Sequence, residues 1–377
     1  MDFSLLTLGL IVALAFANGT NDVSKAIATL VGSGVTSYRT AIGWGMVWTM
    51  VGAGIAAFVA TAMVKTFSSG FIEPNLVIPA AFPPSILSGA FLWVLFASTT
   101  GLPVSTTHAL TGSLVGAGLL AFGSDGLIWA TVLKKIALPL LLSPFLALGL
   151  SFFVHPRIKS MAKCWEGVCV CVVPNHRALV TVDAHGYTRT WFQAGGTGIP
   201  VTAVPSQCDR TGLSGLTVGL DSIHWLSSGV TSLARGMNDA PKIAAMLLLG
   251  TAAASWSSQT LQIVAFAGVA MAMGIGSYWG GRRVTEVLAE KVTQMNHTEG
   301  LSANLTTSSL VLLSGTLGLP VSTTHVSSSA IIGIGLLKGT QTVRWLTVRD
   351  MVLAWLVTIP AAACLACLTY LLLSRAI

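Results

Sequence analysis

Two asparagine–aspartate pairs and two copies of one heptapeptide carry most of the chemistry this chain offers. The pairs are Asn21-Asp22, within NGTNDVSKAIA, and Asn238-Asp239, within RGMNDAPKIAA. The heptapeptide LPVSTTH stands at 102–108 and again at 319–325, each time with three consecutive hydroxyl residues and an imidazole. Hydroxyl and amide groups donate hydrogen bonds to an oxyanion, and carboxylates hold a proton or a hard cation. A serine with a nearby histidine also suggests a nucleophile and its base, but an enzyme needs one asymmetric set of such groups. Here Ser105 with His108 is copied as Ser322 with His325. The duplication points to a binding site shared by two like halves, and away from a membrane phosphatase or acyltransferase. A channel would prefer a continuous polar lining, whereas these polar residues are concentrated at a few points.

A single offset relates the copies. Pro103 and Pro320 lie 217 residues apart, as do Asn21 and Asn238, while Gly116 and Gly118 map by the same shift onto Gly333 and Gly335. The chain is therefore an internal duplication, and its elements must carry the motifs of one half to those of the other.

Those elements have to work in lipid. Hydrophobic residues make up 53% of the sequence and charged residues 9%, where a soluble domain has about 25% charged. Mean hydropathy is +0.78. An integral membrane protein in contact with the lipid bilayer is expected, all-α in its membrane part. Apolar runs at 5–17, 41–64, 84–100, 109–122, 136–154, 213–233, 261–279, 301–317, 326–337 and 351–373 supply its helices. A full span takes about 20 residues, so the shorter runs read as half-helices or re-entrant hairpins. The 39 glycines suit close helix packing in lipid. No basic residue precedes the first run, so it reads as a retained helix despite the cleavage-like Ala15-Phe16-Ala17.

One polar stretch divides the chain into a first membrane repeat at 1–154, a small cap at 155–212 and a second membrane repeat at 213–377. Short strands are expected in the cap at 177–182 and 186–192, punctuated by Gly195-Gly196, Pro200 and Pro205. Cys164, Cys169, Cys171 and Cys208 fall in this region, but their spacing lacks the usual Cys-x2-Cys knuckle of a zinc site. Reduced structural thiols and no cofactor are expected; Cys364 and Cys367 read as packing residues of the last helix.

Orientation follows from the basic residues. With the N-terminus outside, Arg39, the basic residues of the cap, Arg282, Arg283, Lys291, Lys338, Arg344 and Arg349 all fall inside, against Lys65, Lys134, Lys135 and Arg375 outside. The positive-inside bias thus favours both termini outside, a cytoplasmic cap and a multi-pass protein of the cell membrane. Equivalent elements then run in opposite directions, which makes the repeat inverted, as in many secondary transporters. The net charge of +7 reflects the cytoplasmic face; no nucleic-acid-reading motif is present.

Each half is expected to break a helix at its Asn-Asp pair, with new helices over 23–30 and 241–249 and Pro241 in a first helical turn. A break exposes backbone groups and a positive helix end to an interior cavity, where an anion is welcome. A second break in each half lies at PVSTTH. Asn21, Ser105, Thr106, Thr107, Asn238, Ser322, Thr323 and Thr324 are the candidate anion ligands, although the hydroxyls also suit helix N-caps and the asparagines also suit bracing of the break. Asp22 and Asp239 are candidates for the coupling cation, because an ionised carboxylate in a membrane marks an ion or proton path. His108 and His325 read as orienting groups. His224 and Asp221 stand about 21 and 25 Å of helix before Asn238 and are left out of the site.

At these residues the chain resembles the inorganic phosphate transporter family. The resemblance rests on GTNDVSKA and GMNDAPKI, on the two GLPVSTTH segments and on GRRVTEVLAEKV from Gly281. It implies an inverted-repeat helical symporter, commonly a homodimer, in which the Asn-Asp and Ser-Thr-Thr residues hold phosphate and its coupling cations, sodium or protons. Sulfate is the rival anion. Many members carry a second asparagine three residues after the aspartate, where this chain has Lys25 and Lys242. These lysines, and Arg235 where second-half motifs often carry histidine, are candidate charge partners of the site.

Overall fold

The computed structural model describes residues 4–68, 70–74, 76–165, 169–182, 188–203, 216–250 and 259–375. The first half comprises α1 (Ser4–Asp22) and α2 (Ser24–Gly32), α3 (Tyr38–Val59) and α4 (Thr61–Phe67), α5 (Phe82–Thr100), α6 (Thr106–Phe122) and, after a π-helical turn at Thr131–Ala137, α7 (Leu138–Trp165). The second half repeats that order in α8 (Leu220–Gly250), α9 (Gln259–Gly280) with α10 (Arg282–Glu290), α11 (His297–Thr316), α12 (Thr323–Lys338) and α13 (Trp345–Ser374). Among the described residues, six stretches are long and apolar enough to cross a membrane: Leu5–Gly32, Tyr38–Val59, Phe82–Thr100, Thr131–Lys163, Gln262–Gly280 and Trp345–Ser374. Large apolar side chains such as Phe58, Phe96, Phe145, Phe153 and Leu356 stand exposed on them, as a lipid-facing surface requires. The less apolar helices lie inside. In α12 every residue from Thr323 to Gly335 is buried, so its hydroxyls meet protein rather than lipid.

Local signals explain the two hairpin tips. At the end of α5, Gly101 adopts φ 81°, and after α11 Gly318 adopts φ 67°, a left-handed conformation that ends a helix cheaply only at glycine. Pro103 and Pro320 then prevent the helix from resuming. Ser105 and Ser322 start the next one, each accepting a hydrogen bond from the backbone N–H of its histidine, at 3.2 and 3.1 Å. Helix, tip and a slightly shorter second helix, of 17 and 16 residues, follow in the same way in both halves.

The Asn-Asp motifs behave differently from the sequence reading. Only Val23 separates α1 from α2, and its φ −57°, ψ −34° are helical. In the second half there is no break: α8 runs unbroken from Leu220 to Gly250 with Pro241 inside it. The helix carries that proline through the bundle interior, where Ala240 and Lys242 on either side of it are buried. The free helix N-termini are therefore those of α6 and α12, and the Asn-Asp pairs project from helix sides.

Packing between the halves is reciprocal. Helix α1 packs on α9 while α8 packs on α3, and α6 packs on α13 while α12 packs on α7. Glycines set the closeness of the first two crossings. A Cβ on Gly19 would sit 2.1 Å from the Met273 carbonyl oxygen and one on Gly276 2.1 Å from that of Phe16; at the mirror crossing, Gly52 meets Leu233 at 2.1 Å and Gly236 meets Thr49 at 2.3 Å.

Between the halves, β1 (Cys169–Val182) pairs antiparallel with β2 (Thr188–Ala203) and, on its other edge, with β3 (Leu216–Val218). The strands are longer than the sequence suggests. Gly195, Gly196 and Pro200 lie within β2, and a register shift between Pro174 and Asn175 leaves Gly196 and Thr197 as the extra residues of a bulge. Helix α7 carries through residue 155 to Trp165, so the polar stretch begins inside a helix. Pro205 and Cys208 lie outside the described residues, and only the backbone is described for Cys164, Cys169 and Cys171.

Gly52→Ala and Gly276→Ala should each lower the stability of the detergent-solubilised protein by about 1–3 kcal/mol, because the extra carbon forces packed backbones apart. Gly54→Ala, two residues along α3 with open space around it, should leave the thermal midpoint unchanged in the same assay.

Candidate functional site

The side chains of α1, α2, α6, α8 and α12 meet in one closed polar network. At its centre the amide nitrogen of Asn18 donates to Asp22 Oδ2 at 3.0 Å, to Thr106 Oγ1 at 3.0 Å and towards Asp239 Oδ2 at 3.4 Å. One side chain thus sets the aspartates of the two halves beside each other and beside the first-half tip. Asp22 pairs with Lys25 through Oδ1. Asp239 pairs with Lys242 at 3.1 Å and accepts from Asn238 Nδ2 at 2.9 Å. These i, i+3 pairs lie on one helical face, so the ion pairing follows from spacing once the helices run continuously through the motifs.

The tips are tied in by the same residues. Asn21 donates to the Leu102 carbonyl at 3.0 Å and to Ser98 Oγ at 3.3 Å, and accepts from the Val104 N–H at 3.3 Å. Asn238 donates to the Val321 carbonyl at 3.1 Å. Lys242 crosses between halves to Thr107 Oγ1 at 2.7 Å, and Thr324 Oγ1 crosses the other way to the Val104 carbonyl at 2.6 Å. Thr323 is buried in the first turn of α12. Ser105 and Ser322 spend their side-chain oxygens as caps. The histidine rings instead lie against each other, His108 and His325 at 4.4 Å between centroids, with Trp355 at 4.2 Å on the other face of His325.

Arg235 is also fully buried, yet it points to other partners. Its Nη2 donates to Thr49 and to Ser277 Oγ at 3.3 Å, whereas Nε and Nη1 have no protein acceptor among the described residues. It remains within electrostatic reach of both Asp22 and Asp239. Three cationic side chains thus share the interior with two carboxylates, and the surplus is positive. The amide oxygens of Asn18 and Asn238 are likewise buried and unmatched. No group of three or more His, Cys, Asp and Glu side chains able to hold a metal occurs among the described residues. His224 and Asp221 stay apart: His224 contacts Thr29 Oγ1 at 3.3 Å, and exposed Asp221 pairs with His297 at 2.6 Å.

Sequence reasoning passed over Asn18, although it opens the first motif and maps by the 217-residue offset onto Arg235. Thr49, Ser98 and Ser277 carried no signal, since isolated hydroxyls are common in such helices. A cavity of about 490 Å³, lined by Thr20, Ser98, Thr99, Trp279, Arg282 and Arg283, reaches the network at Ser98.

Comparison with known proteins bears on the family and the fold. A family model described as "Phosphate transporter family" matches residues 18–366. A presumed phosphate permease of Pyrococcus abyssi is 27% identical over 402 residues, covering 98% of this chain and 97% of that protein. A probable low-affinity inorganic phosphate transporter of Mycobacterium tuberculosis is 30% identical over 372 residues, covering 97% of this chain and 77% of the relative. A solved structure described as "The sodium-dependent phosphate transporter" superposes with a TM-score of 0.75 at 22% identity, covering both chains fully, and so shares the fold.

Lys242→Met strands the buried Asp239 carboxylate and should cost about 3–5 kcal/mol in thermal or denaturant unfolding. Adding Asp239→Leu removes the stranded charge and should recover most of that loss.

Proposed function

Because the chain belongs to the phosphate transporter family, we propose that it carries inorganic phosphate across the membrane as a secondary symporter, by alternating access around the closed network between its halves. It is a transporter, not an enzyme. The observation that carries the mechanism is the buried charge balance: Lys25, Lys242 and Arg235 against Asp22 and Asp239, all 1–2% exposed, with the buried hydroxyls of Thr106, Thr107, Thr323 and Thr324 in the first turns of α6 and α12. An interior with surplus positive charge, and with the N-termini of α6 and α12 directed into the tips, favours an oxyanion. Phosphate near neutral pH keeps a proton that a carboxylate can accept, whereas sulfate has none to offer.

In this reading Asn18, Asn21, Asn238 and the tip hydroxyls hold the anion, and Asp22 and Asp239 answer to the coupling cation, sodium or proton. The two halves form an inverted repeat and rock about the fixed network; the reciprocal helix pairing supports it, because a swap of the halves preserves the major contacts between membrane helices. The arginine-lined cavity beside Ser98 supplies one route to the site. The cap at 155–212 faces the cytoplasm, both termini lie outside the cell membrane, and the working unit is a homodimer.

Proteoliposomes holding the full chain should take up labelled phosphate saturably, and arsenate should compete because its shape and protonation match. Sulfate uptake without phosphate uptake would overturn the assignment of the anion. Asp22→Asn and Asp239→Asn should each abolish coupled uptake while leaving protein in the membrane, since each removes a charge from the shared network. A double variant that transports like wild type would end the site assignment.

A further inference from the structure

The two lysines make the contacts that a bound metal cation makes in an oxygen cage. Lys25 Nζ donates to the Asn21 carbonyl at 2.8 Å, to Asn21 Oδ1 at 2.6 Å and to Asp22 Oδ1, with the Val104 carbonyl at 3.5 Å. Lys242 Nζ donates to Thr107 Oγ1 at 2.7 Å, to Asp239 Oδ1 at 3.1 Å and to the Val321 carbonyl at 3.4 Å. Val104 and Val321 are equivalent under the 217-residue offset, as are the lysines and the aspartates. Each ammonium therefore sits in an all-oxygen surrounding, one carboxylate and one valine carbonyl with the Asn21 carbonyl and amide oxygens in the first half and the Thr107 hydroxyl in the second. That ligand chemistry is what hard cations select, and helix irregularities inside transporters supply it from backbone carbonyls.

An ammonium has three N–H donors, and each lysine finds an oxygen for all three. Both side chains are 1% exposed, so neither charge is shared with water. A strongly hydrated point charge accepts burial only with close partners, and these partners are the ones a small cation would take. The decisive physical difference is the stem. A sodium ion enters and leaves with each cycle, whereas an ammonium anchored three residues from its carboxylate cannot dissociate, and it excludes a competing cation by both volume and charge.

We infer that Lys25 and Lys242 are resident cations occupying both cation positions of the network, so that oxyanion binding and transport need no sodium. The inference deepens the transport reading and rests on it for uptake alone. Its test uses the full chain in proteoliposomes and in detergent. Wild-type phosphate uptake should change less than about twofold when sodium chloride is replaced by choline chloride at constant pH, and sodium should not raise the melting temperature of the anion-free protein, because a ligand stabilises only a state that binds it. In Lys25→Asn with Lys242→Asn, sodium should raise the melting temperature and should increase uptake by about tenfold, within the usual range of coupling between sites.

Wild-type uptake that requires sodium, or sodium stabilisation of the anion-free wild type, overturns the inference. So does a folded double variant that stays indifferent to sodium, since positions freed of ammonium would then not be cation positions. Should the double variant fail to fold, the wild-type comparison decides alone. Absence of phosphate uptake in both media defeats the phosphate reading instead, and the thermal measurement, which uses no anion, still judges the lysines.

Discussion

Everything in this bundle answers to the cost of keeping two carboxylates away from water in a membrane. Asp22 and Asp239 are 1% and 2% exposed, and an unpaired ion in such a place costs several kcal/mol even after relaxation. Each is matched by a lysine one helical turn on, and both are joined through the amide of Asn18. To hold these pairs the motif helices must be continuous, because i, i+3 partners face one another only on helical backbone. The continuity of α8 through Pro241 and the near-continuity of α1 into α2 are thus consequences of the charge pairing. The tips, which carry no charge, are free to break.

The same constraint divides the helices by role. Strongly apolar spans such as α3, α7 and α13 face outwards, with 28–33% of their most apolar window buried, and they enclose the shorter, hydroxyl-rich α6 and α12. Hydroxyls of Ser and Thr and amides of Asn along α8, α11 and α12 bond back to helix carbonyls or across to neighbours, as Ser228 does to the Ala26 carbonyl at 2.9 Å and Ser327 to that of Lys25 at 3.1 Å. Such bonds replace the hydrophobic drive that lipid cannot supply between helices. Glycine contacts at Gly19, Gly52, Gly236 and Gly276 let the backbones come close enough for short side chains to reach.

The network is similar in its halves without being identical. Lys25 keeps its contacts within the first half, while Lys242 reaches across to Thr107; Thr324 crosses to Val104, but Thr107 accepts where Thr324 donates. At the position of Asn18 the second half has Arg235, which turns to Thr49 and Ser277 and brings the surplus charge. One half supplies the hub and the other the excess cation, so a single network with surplus positive charge is built from two copies of one plan.

By itself the sequence determined the membrane setting, the duplication and the motifs that carry the polar residues. Composition settles the solvent, the 217-residue offset settles the repeat, and the Gly-Leu-Pro-Val-Ser tips are legible because left-handed glycine, proline and a serine cap act within a few residues of themselves. The pairing of Lys25 with Asp22 and of Lys242 with Asp239 was also readable, being a matter of helical spacing. Tertiary structure alone decided that the Asn-Asp motifs sit on helix sides instead of at helix starts, that Asn18 bridges the halves, and that Arg235 turns away from the carboxylates. Those outcomes depend on contacts between residues as far apart as Asn18 and Asp239, and on how closely glycine-lined helices cross. Neither is set by any local pattern, since both bring together residues that are distant along the chain.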